Sequence, residues 1–446
     1  MHRSLLPHLI RWKNSKDRKP LLLQGARQVG KTWLLRKLGE EFVHLHYLNL
    51  EDTVLQSVFE GSVTNVDNII FRIEALNNTT INRGQDLIVF DEIQACPKAI
   101  HSLKYFHENM PELAIACAGS RIGISGSEYP FPVGKVSFLN LYPMDFQEFV
   151  IALNTQLAAV LQDIPDSLRI DPFMHERLWE AYLHYSLIGG MPEAVSSYLD
   201  NREALFNALH KVRDIQQALI QGYGSDFSTL SSNSSGKLLS QRISSVFSSI
   251  PRQLQAVYEG STRRFRFKDV VTGASRFKHL QDPIDWLVKS GLVNQIPITS
   301  QPALPMFAAA NTFKLFIFDT GILASQLDLD YRSVLDQNQG NYKGFIAENY
   351  VAQQLQPAFQ GKVYSFARAS SEIEFLLPYQ GTVLPLEVKS GSRTKAKSLV
   401  EYKKKYSPLL AIKLSPNNMR LENGHLNAPI YLAGQIGQIV DAILGE

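Results

Sequence analysis

The sequence predicts an α/β protein that starts with a parallel sheet domain and continues into further folded segments. Over residues 1–150, apolar runs of strand length alternate with helical patterns, the order that a parallel sheet with crossover helices requires. A glycine-rich run at 25–32 separates the first strand from the first helix. Near the C-terminus, two strands of alternating polarity flank a short turn at 378–381, which indicates a second sheet.

The composition is that of an ordinary folded protein. A chain of 446 residues is too long for one hydrophobic core, and its length predicts about three domains of roughly 150 residues each. Hydrophobic residues make up 45% and charged residues 20% of the chain, which excludes long disorder. The net charge of +3 neither requires nor excludes a nucleic-acid partner, so any basic contact surface must be local.

The cysteines and the N-terminus predict a cytoplasmic protein. Cys96 and Cys117 are the only cysteines, and their spacing matches neither a disulfide framework nor a zinc site. The apolar stretch at 1–12 is interrupted by a proline, a histidine and an arginine. Because no segment reaches about 18 consecutive apolar residues, we expect neither a signal peptide nor a membrane span.

The run at 25–32, GARQVGKT, fits the pattern GxxxxGK[ST]. It follows an apolar strand at 20–24 and precedes a helical pattern at 33–38, which favours a phosphate-binding loop over an accidental glycine turn. Glycines let successive N–H groups face phosphate oxygens, and the helix adds its positive end. We expect Lys31 to reach the β/γ-phosphates and Thr32 to bind Mg²⁺. The expected nucleotide-contacting residues are Gly25, Ala26, Arg27, Gln28, Val29, Gly30, Lys31, Thr32 and Trp33.

A second apolar run, LIVFDE at 87–92, ends in two carboxylates. We expect Asp91 to hold Mg²⁺ at the nucleotide, either through water or through Thr32. Glu92 is expected to polarise the attacking water, because phosphoryl transfer needs positioning and charge stabilisation. Alone, such a run is more often a strand end with exposed acids. The glycine-rich run upstream favours the site, in which Glu92 and Lys31 are catalytic.

Two further strands complete the predicted parallel sheet. The segment 44–50 alternates in polarity, and the apolar run at 113–118 leads into Gly119-Ser120-Arg121. A polar residue after this run is expected between the other two motifs, so Ser120 is the predicted catalytic sensor of the γ-phosphate. The ligand is expected at the carboxyl edge of the sheet.

These motifs, together with two longer phrases, resemble a known family. GARQVGKT, LIVFDEIQ, AGSR, the stretch FPVGKVSFLNLYPMDFQEF at 131–149 and LIGGMPEAV at 187–195 are similar to prokaryotic AAA+-type P-loop ATPases that carry a C-terminal domain of unknown function. The resemblance covers nearly the whole chain. It implies binding and hydrolysis of ATP with Mg²⁺ and leaves the biological role open.

Two residues near these phrases have alternative interpretations. The Gly189–Pro192 turn is either a simple helix stop or, as the resemblance implies, a turn that packs on the adenine base, in which case Pro192 contacts the nucleotide. Arg121 stands where the family usually has a small polar residue. It is either an arginine finger in cis or part of a surface ion pair, and we favour the ion pair.

The middle of the chain predicts a helical lid followed by a winged helix. A polar segment at 227–236 reads as a linker. Helical patterns at 238–249, 251–258 and 276–290 accompany a basic strand-like segment at 263–267. The clustered basic residues are either a phosphate-contacting face for DNA or a strand edge protected by charge. They are Arg263, Arg264, Arg266, Lys268, Arg276 and Lys278.

Four charged residues of the last part of the chain can come together. Glu348 lies within an apolar helical stripe, where a carboxylate must be paired, bound to metal or protonated. Strand periodicity lets Glu374 converge with Glu387 and Lys389, as a second metal site requires. These residues resemble the restriction-endonuclease-like nuclease core. That nuclease pattern has Asp where Glu374 stands, and the extra methylene displaces the carboxylate by about 1.5 Å, so we expect a degenerate site.

The sequence thus predicts a cytoplasmic ATPase that acts as a conformational switch. Its expected parts are a P-loop ATPase core at 1–150, a helical lid and connector at 151–226, a winged-helix domain at 227–305 and a restriction-endonuclease-like domain at 306–446. The expected ligands are ATP and Mg²⁺, and the expected partners are duplex DNA, a protein client or a second copy of the chain, without a membrane. Two alternatives stay open: an ATP-regulated, metal-dependent DNA nuclease, and a DNA-binding switch that does not hydrolyse ATP.

Overall fold

The computed structural model describes residues 1–119, 131–228, 234–260, 264–335, 342–368, 371–391 and 397–445. The chain forms two compact units. The first comprises Met1–Tyr142 and Lys289–Gly291, and the second comprises Pro143–Val288 and Leu292–Glu446. The lid, winged-helix and C-terminal segments expected from the sequence therefore lie almost entirely within one unit.

The first unit is built on a five-stranded parallel sheet. Its spatial order is β2-β3-β4-β1-β5, and all four pairings are parallel. The parallel α/β prediction for this part of the chain is confirmed, and the sheet gains an edge strand, β5, that the sequence pattern does not predict. The strands are β1 Leu21–Gln24, β2 Leu45–Asn49, β3 Leu87–Asp91, β4 Ala114–Gly119 and β5 Ser137–Asn140.

Helices of the first unit pack apolar stripes on this sheet. In the helix at 66–77, Val66, Ile69 and Ile73 are buried at helical spacing. The Asn65 side chain caps the first turn, and Asn78 ends the helix with a φ of +50°. The helices are α1 Leu6–Lys13, α2 Lys31–Gly39, α3 Thr53–Gln56, α4 Val66–Asn77 and α5 Pro97–Asn109, with short 3₁₀ turns at Ser57–Phe59 and Ile93–Ala95.

The carboxyl ends of β1 and β3 position the predicted site. Because all strands run in the same direction, these two ends lie at one edge of the sheet, separated by β4. The loop after β1 leads directly into α2, and the two carboxylates follow β3. Ligands of open parallel sheets bind at such an edge.

The helices of the second unit begin with a fully formed cap. Asp145 and Glu148 make a capping box at the start of the first of them, which satisfies two otherwise unpaired N–H groups. The helices are α6 Phe146–Leu153, α7 Thr155–Ser167, α8 Pro172–Ile188, α9 Pro192–Asn201, α10 Leu205–Ser228, α11 Ser234–Tyr258, α12 Phe277–Lys289, α13 Thr320–Gln326, α14 Tyr331–Leu335, α15 Tyr342–Ala358, α16 Lys397–Tyr406 and α17 Ile436–Leu444, with a 3₁₀ helix at Ile430–Gln435.

A mixed eight-stranded sheet completes the second unit. Its spatial order is β12-β13-β11-β10-β9-β8-β6-β7. The β9–β10 pair is the predicted hairpin, and β10 runs parallel to β11. The strands are β6 Val293–Thr299, β7 Phe313–Ile317, β8 Tyr364–Arg368, β9 Ser371–Tyr379, β10 Thr382–Val388, β11 Ala411–Ser415, β12 Arg420–Glu422 and β13 His425–Pro429.

The middle segment differs from its sequence prediction. One continuous helix, α11, replaces the two expected helices and contains Pro251. Its buried residues Ile243, Phe247, Ile250 and Leu254 continue one stripe across the proline, so burial outweighs the hydrogen bond that proline removes. Residues 227–228 and 234–236 of the expected linker are helical, and its residues 229–233 are outside the described residues. Of the basic segment expected at 263–267, Arg263 is outside the described residues and 264–267 form no strand.

Strand β6, which follows α12, pairs with two strands and not with one. β6 pairs with β7 as an antiparallel arm, as a wing would, but it also pairs in parallel with β8. The arm is thus part of the C-terminal sheet, because β6 supplies hydrogen bonds on both of its edges. Among the described residues, no helix is long and apolar enough to span a membrane, and both cysteines are buried and free.

Candidate nucleotide site

The loop between β1 and α2 has the backbone geometry of a phosphate cradle. Gly30 precedes α2 with a φ of +95°, a conformation that favours glycine. A Cβ added to Gly25 would lie 2.2 Å from the carbonyl oxygen of Leu141, so no side chain fits there. The first N–H groups of α2 have no carbonyl partner within the helix and stand at its positive end. The loop therefore offers N–H donors to an anion.

The amine of Lys31 lies over this loop. Its side chain is 7% exposed, and Nζ donates to the carbonyl oxygens of Ala26 at 2.8 Å and Gly25 at 3.1 Å. Burial lowers the pKa of Lys31, while Glu92 and Asp91 raise this pKa and Arg27 lowers it. A cation held over N–H donors is the arrangement that binds terminal phosphates.

Thr32 and Asp91 meet directly. Thr32 Oγ1 donates a 2.6 Å hydrogen bond to Asp91 Oδ2, and the N–H of Glu92 donates to Asp91 Oδ1 at 3.0 Å. The hydroxyl of Tyr47 also donates to Asp91 Oδ2, at 2.7 Å. Sequence analysis did not single out Tyr47, because its segment shows only a strand pattern without a motif.

Glu92 adopts a left-handed backbone conformation, with φ +48° and ψ +44°. Strained conformations of this kind are concentrated at functional sites. The amide of Gln94 donates a hydrogen bond to Glu92 Oε2. A Cβ added to Gly119, at the end of β4, would lie 2.5 Å from Gln94 Oε1. Gly119 thus makes room for the residue that holds Glu92, and Gln94 is a second site residue absent from the sequence prediction.

The residues present fit a nucleotide with its magnesium ion. Mg²⁺ prefers oxygen ligands and is usually bound by one or two protein groups together with substrate phosphates. Thr32 and Asp91 offer a hydroxyl and a carboxylate next to the cradle. Among the described residues, no group of three or more His, Cys, Asp or Glu is arranged to hold a metal ion without such help.

Ser120 and Arg121 are outside the described residues. Pro192 belongs to the second unit, where it begins α9. The adjacent Gly190 is packed tightly, since an added Cβ would lie 2.0 Å from the carbonyl oxygen of Met144. A contact between Pro192 and adenine stays a prediction.

Asp319 explains why this turn is rich in glycine. Its buried carboxylate accepts hydrogen bonds from the N–H groups of Gly190 at 2.6 Å and Ile322 at 3.0 Å. A Cβ on Gly189 would lie 2.2 Å from Asp319 Oδ1. Burial raises the pKa of Asp319 to about 6, although hydrogen bonds from Gly190 and other donors lower this pKa. The turn and the corner between β7 and α13 therefore share one buried anion.

The four residues of the predicted second site come together in the second unit. Lys389 Nζ lies 2.7 Å from Glu387 Oε1 and 3.3 Å from Glu374 Oε1. The β9–β10 register, in which Phe375 faces Leu386, brings both carboxylates to one place. Glu348, on α15, is 8% exposed, and burial is the main effect that raises its pKa, while Lys314 and Lys389 lower it.

A second lysine enters this cluster from β7. Lys314 is 2% exposed, and its Nζ lies 2.8 Å from Glu372 Oε1. Burial raises the pKa of Glu374 to about 7, against the lowering effect of Lys389. One carboxylate oxygen of Glu374 and one of Glu387 are buried without a hydrogen-bond partner. Sequence analysis missed Lys314 and Glu372, because only packing of β7 near β9 brings them to the site.

The family comparisons divide the chain into three parts. Residues 17–150 match the family model described as an AAA domain. This segment is an AAA-type P-loop ATPase domain. Residues 179–333 and 343–432 match two domains of unknown function, DUF8612 and DUF4143. The expected resemblance to AAA+-type ATPases with a C-terminal domain of unknown function is confirmed.

Several solved structures are similar to this chain at low sequence identity. A Walker-type ATPase of Pyrococcus abyssi is 17% identical, with a TM-score of 0.45 over 73% of this chain and 95% of the other. The ORC1 protein of Aeropyrum pernix in complex with DNA is 14% identical, with a TM-score of 0.31 over 76% and 93%. Drosophila ORC bound to DNA is 14% identical, with a TM-score of 0.26 over 65% and 86%. No curated protein gives a significant match.

Proposed function

We propose that the protein binds Mg-ATP at the loop after β1, hydrolyses it, and uses the cycle as a conformational switch. The observation that carries the proposal is the convergence of a buried lysine, a threonine and two carboxylates at one sheet edge. The hydroxyl of Thr32 donates a hydrogen bond to Asp91, and the backbone N–H of Glu92 donates one to the same carboxylate. The AAA-domain match of residues 17–150 supports the assignment.

Each residue has a separate task in this proposal. Lys31 binds the β/γ-phosphates and offsets their charge. Thr32 and Asp91 hold Mg²⁺, which neutralises charge that develops on the phosphoryl group. Glu92 orients and polarises the attacking water. Gln94 holds Glu92 Oε2 in the arrangement described, so turnover requires Glu92 to exchange this amide for water.

The first test measures Mg²⁺-dependent phosphate release from ATP. We expect turnover by the wild type, ATP binding without turnover by Glu92→Gln, and loss of binding in Lys31→Ala. Glu51→Gln is the matched control, because Glu51 is an exposed glutamate of the same unit. Turnover by Glu92→Gln equal to that of the wild type would contradict the role of Glu92, and equal nucleotide binding by Lys31→Ala would contradict the site.

We propose duplex DNA as the effector of the switch. Six exposed lysine and arginine side chains lie along residues 252–278, from the end of α11 to the start of α12. Clustered cations of this kind bind the phosphate backbone of DNA by releasing counterions. They are Arg252, Arg264, Arg266, Lys268, Arg276 and Lys278. We expect duplex DNA to change the rate of phosphate release at low salt and to lose this effect at high salt.

The variant Arg266→Glu/Lys268→Glu tests the DNA surface. It should lose most of the DNA effect and keep the turnover measured without DNA, because both residues lie in the second unit. The control Lys403→Glu/Lys404→Glu carries the same charge change on α16. A DNA effect that survives in the first variant and disappears in the control would move the surface to α16.

A second candidate function is metal-dependent cleavage of DNA at the carboxylate cluster. It is favoured by the convergence of Glu348, Glu374, Glu387 and Lys389 on α15, β9 and β10. In the arrangement described, no group of three or more carboxylates is placed to hold a metal ion. Lys389 contacts one oxygen of Glu374 and one of Glu387, so a metal ion would bind the other oxygens of these carboxylates or replace the lysine.

Cleavage is tested on supercoiled and linear DNA with Mg²⁺ or Mn²⁺. Nicks that disappear in Glu387→Ala and persist in Glu92→Gln would establish the nuclease. Intact DNA in every reaction, together with DNA-dependent phosphate release, would leave the ATPase switch as the function.

A further inference from the structure

Tyr47 contacts the nucleotide site from a strand outside both sequence motifs. It lies on β2, and its hydroxyl donates a 2.7 Å hydrogen bond to Asp91 Oδ2. The same oxygen accepts a 2.6 Å hydrogen bond from Thr32 Oγ1, and Asp91 Oδ1 accepts one from the N–H of Glu92 at 3.0 Å. Both oxygens of Asp91 are held, and one of the donors is a tyrosine that neither motif contains.

The ring of Tyr47 is fixed in place. In the parallel β2–β3 pairing, Tyr47 lies opposite Val89, two positions before Asp91. The guanidinium of Arg36, on α2, lies over the ring at 4.7 Å from its centroid, a favourable cation–π distance. A phenol with its ordinary pKa of about 10 keeps its proton throughout the neutral range, so the hydroxyl of Tyr47 is a donor there.

The three donors to Asp91 are not equivalent. The oxygen of Thr32 is itself the proposed ligand of Mg²⁺, so its position follows the metal. The N–H of Glu92 belongs to a residue with a left-handed backbone conformation. In the proposed cycle, the carboxylate of Glu92 must exchange its hydrogen bond from Gln94 for water. Tyr47 binds neither the metal nor the water in this scheme. It lies on β2, and its ring is contacted by Arg36 of α2. It is the donor that can fix Asp91 independently of the nucleotide state.

We infer that Tyr47 is a positioning residue whose hydroxyl fixes Asp91 in the orientation from which Asp91 and Thr32 hold the magnesium of the bound nucleotide. The inference rests on the proposed function. It adds a third strand, β2, to a site otherwise built from β1 and β3. Residues that orient a metal-binding group typically change metal affinity or activity by about 10–100-fold when they are removed.

The test is Tyr47→Phe in the full-length chain, with Mn²⁺ as a spectroscopic probe of the metal site. Mn²⁺ binding in the presence of saturating ADP is measured by electron paramagnetic resonance, and ADP affinity without metal is measured separately. We expect Mn²⁺ affinity to fall by about tenfold or more, with metal-free ADP affinity unchanged. In steady state, the Mg²⁺ concentration for half-maximal turnover should rise by a similar factor, with kcat at saturating Mg²⁺ close to that of the wild type.

Tyr105→Phe is the matched control. Tyr105 is partly buried in the core of the same unit and loses the same atom, so it reports any general effect of removing a phenol. Equal Mn²⁺ affinity in Tyr47→Phe and the wild type would overturn the inference. Absence of Mn²⁺–ADP binding by the wild type itself would overturn the proposed function instead, so the two failures are distinct.

Discussion

The backbone of Glu92 is strained. A left-handed conformation costs a non-glycine residue about 1–2 kcal/mol, and here φ is +48°. The conformation directs the N–H of Glu92 to Asp91 Oδ1 and leaves the carboxylate within reach of Gln94. The strain is therefore balanced by one hydrogen bond to the motif and one that restrains the proposed base.

Removal of the Gln94 amide is expected to release Glu92. In Gln94→Ala the carboxylate no longer has to exchange this hydrogen bond for water, so basal phosphate release should rise about tenfold or more, since a hydrogen bond to a charged group contributes about 1.5 kcal/mol or more. Steady-state kinetics at saturating ATP measures the effect, with Gln85→Ala as an exposed control. A rate equal to or below that of the wild type would show that Gln94 does not restrain Glu92.

Asp319 is a second residue in an unfavourable state, because its charged carboxylate is buried. Its pKa is raised to about 6 by burial, compared with about 3.9 in an unfolded chain. The folded unit therefore holds a proton at a pH at which the unfolded chain has lost it. Charged Asp319 lowers the free energy of unfolding above pH 6, and this penalty, about 3 kcal/mol, disappears as the pH falls through 6 towards 4.

The pH dependence of Asp319 can be isolated by difference. Other carboxylates contribute as well, because the pKa values of Glu348 and Glu374 are raised and that of Asp86 is lowered. The wild type is therefore compared with Asp319→Asn, which cannot titrate. The free energy of unfolding of the wild type relative to the variant should increase by about 3 kcal/mol from pH 7 to pH 4. Urea unfolding at a series of pH values gives this difference. A constant difference across the range would place the pKa of Asp319 near its ordinary value.

Elements with local signals were predicted correctly from the sequence. The strand before the glycine-rich run and α2 after it follow from an apolar run and a fixed motif, and α15 follows from its apolar spacing. The break expected at Pro251 did not occur, because the buried stripe of α11 continues across the proline. Edge strand β5 has only four residues and half-exposed positions, so its pattern is too short to recognise.

Site residues that depend on packing between distant elements were not predictable. Tyr47 and Lys314 occupy ordinary strand positions, and their roles follow from register and from neighbouring strands or helices. The approach of Lys31 and Thr32 to Asp91 and Glu92 was predictable, because each pair follows a strand of the same parallel sheet within a motif of fixed spacing. Their roles at a nucleotide stay predictions. The predicted convergence of Glu374, Glu387 and Lys389 followed from strand alternation, since the period of two fixes the face of each side chain.

Strand β7 supplies the cluster at 348–389 with an internal cation. We expect Lys314→Met to lower the free energy of unfolding of the second unit by about 3 kcal/mol, because the buried carboxylate of Glu348 loses one of the two lysines that lower its pKa. Millimolar Mg²⁺ or Mn²⁺ should restore part of this loss, since a metal can replace the missing charge. Thermal unfolding with and without metal measures both effects.

The control for this variant is Lys362→Met, which removes an exposed lysine of the same unit. It should unfold as the wild type does and show no metal dependence. If Mg²⁺ or Mn²⁺ failed to stabilise Lys314→Met, the cluster would be a purely internal ion network and the nuclease alternative would lose its support.

At the scale of the whole molecule, the chain passes between its two units at three points, after Tyr142, after Val288 and after Gly291. The nucleotide residues lie in the first unit, whereas the Asp319 contacts, the basic surface and the carboxylate cluster lie in the second. A switch that acts through the second unit must therefore change that unit when the nucleotide changes in the first. If ATP hydrolysis left the second unit unchanged, the protein would be an ATPase but not a switch.

Hydrogen–deuterium exchange tests the switch directly. Glu92→Gln loaded with Mg-ATP represents the state before hydrolysis, and the wild type with Mg-ADP represents the state after it. We expect amide protection to differ between these states near the loop at 25–32 and also in the second unit, at 143–150 and 187–192, because both segments follow or pack near a passage of the chain between units. Lys31→Ala with ATP is the control and should match the nucleotide-free protein. Differences restricted to the first unit would show that ATP turnover is not transmitted, because a ligand shifts only those equilibria whose states it binds differently.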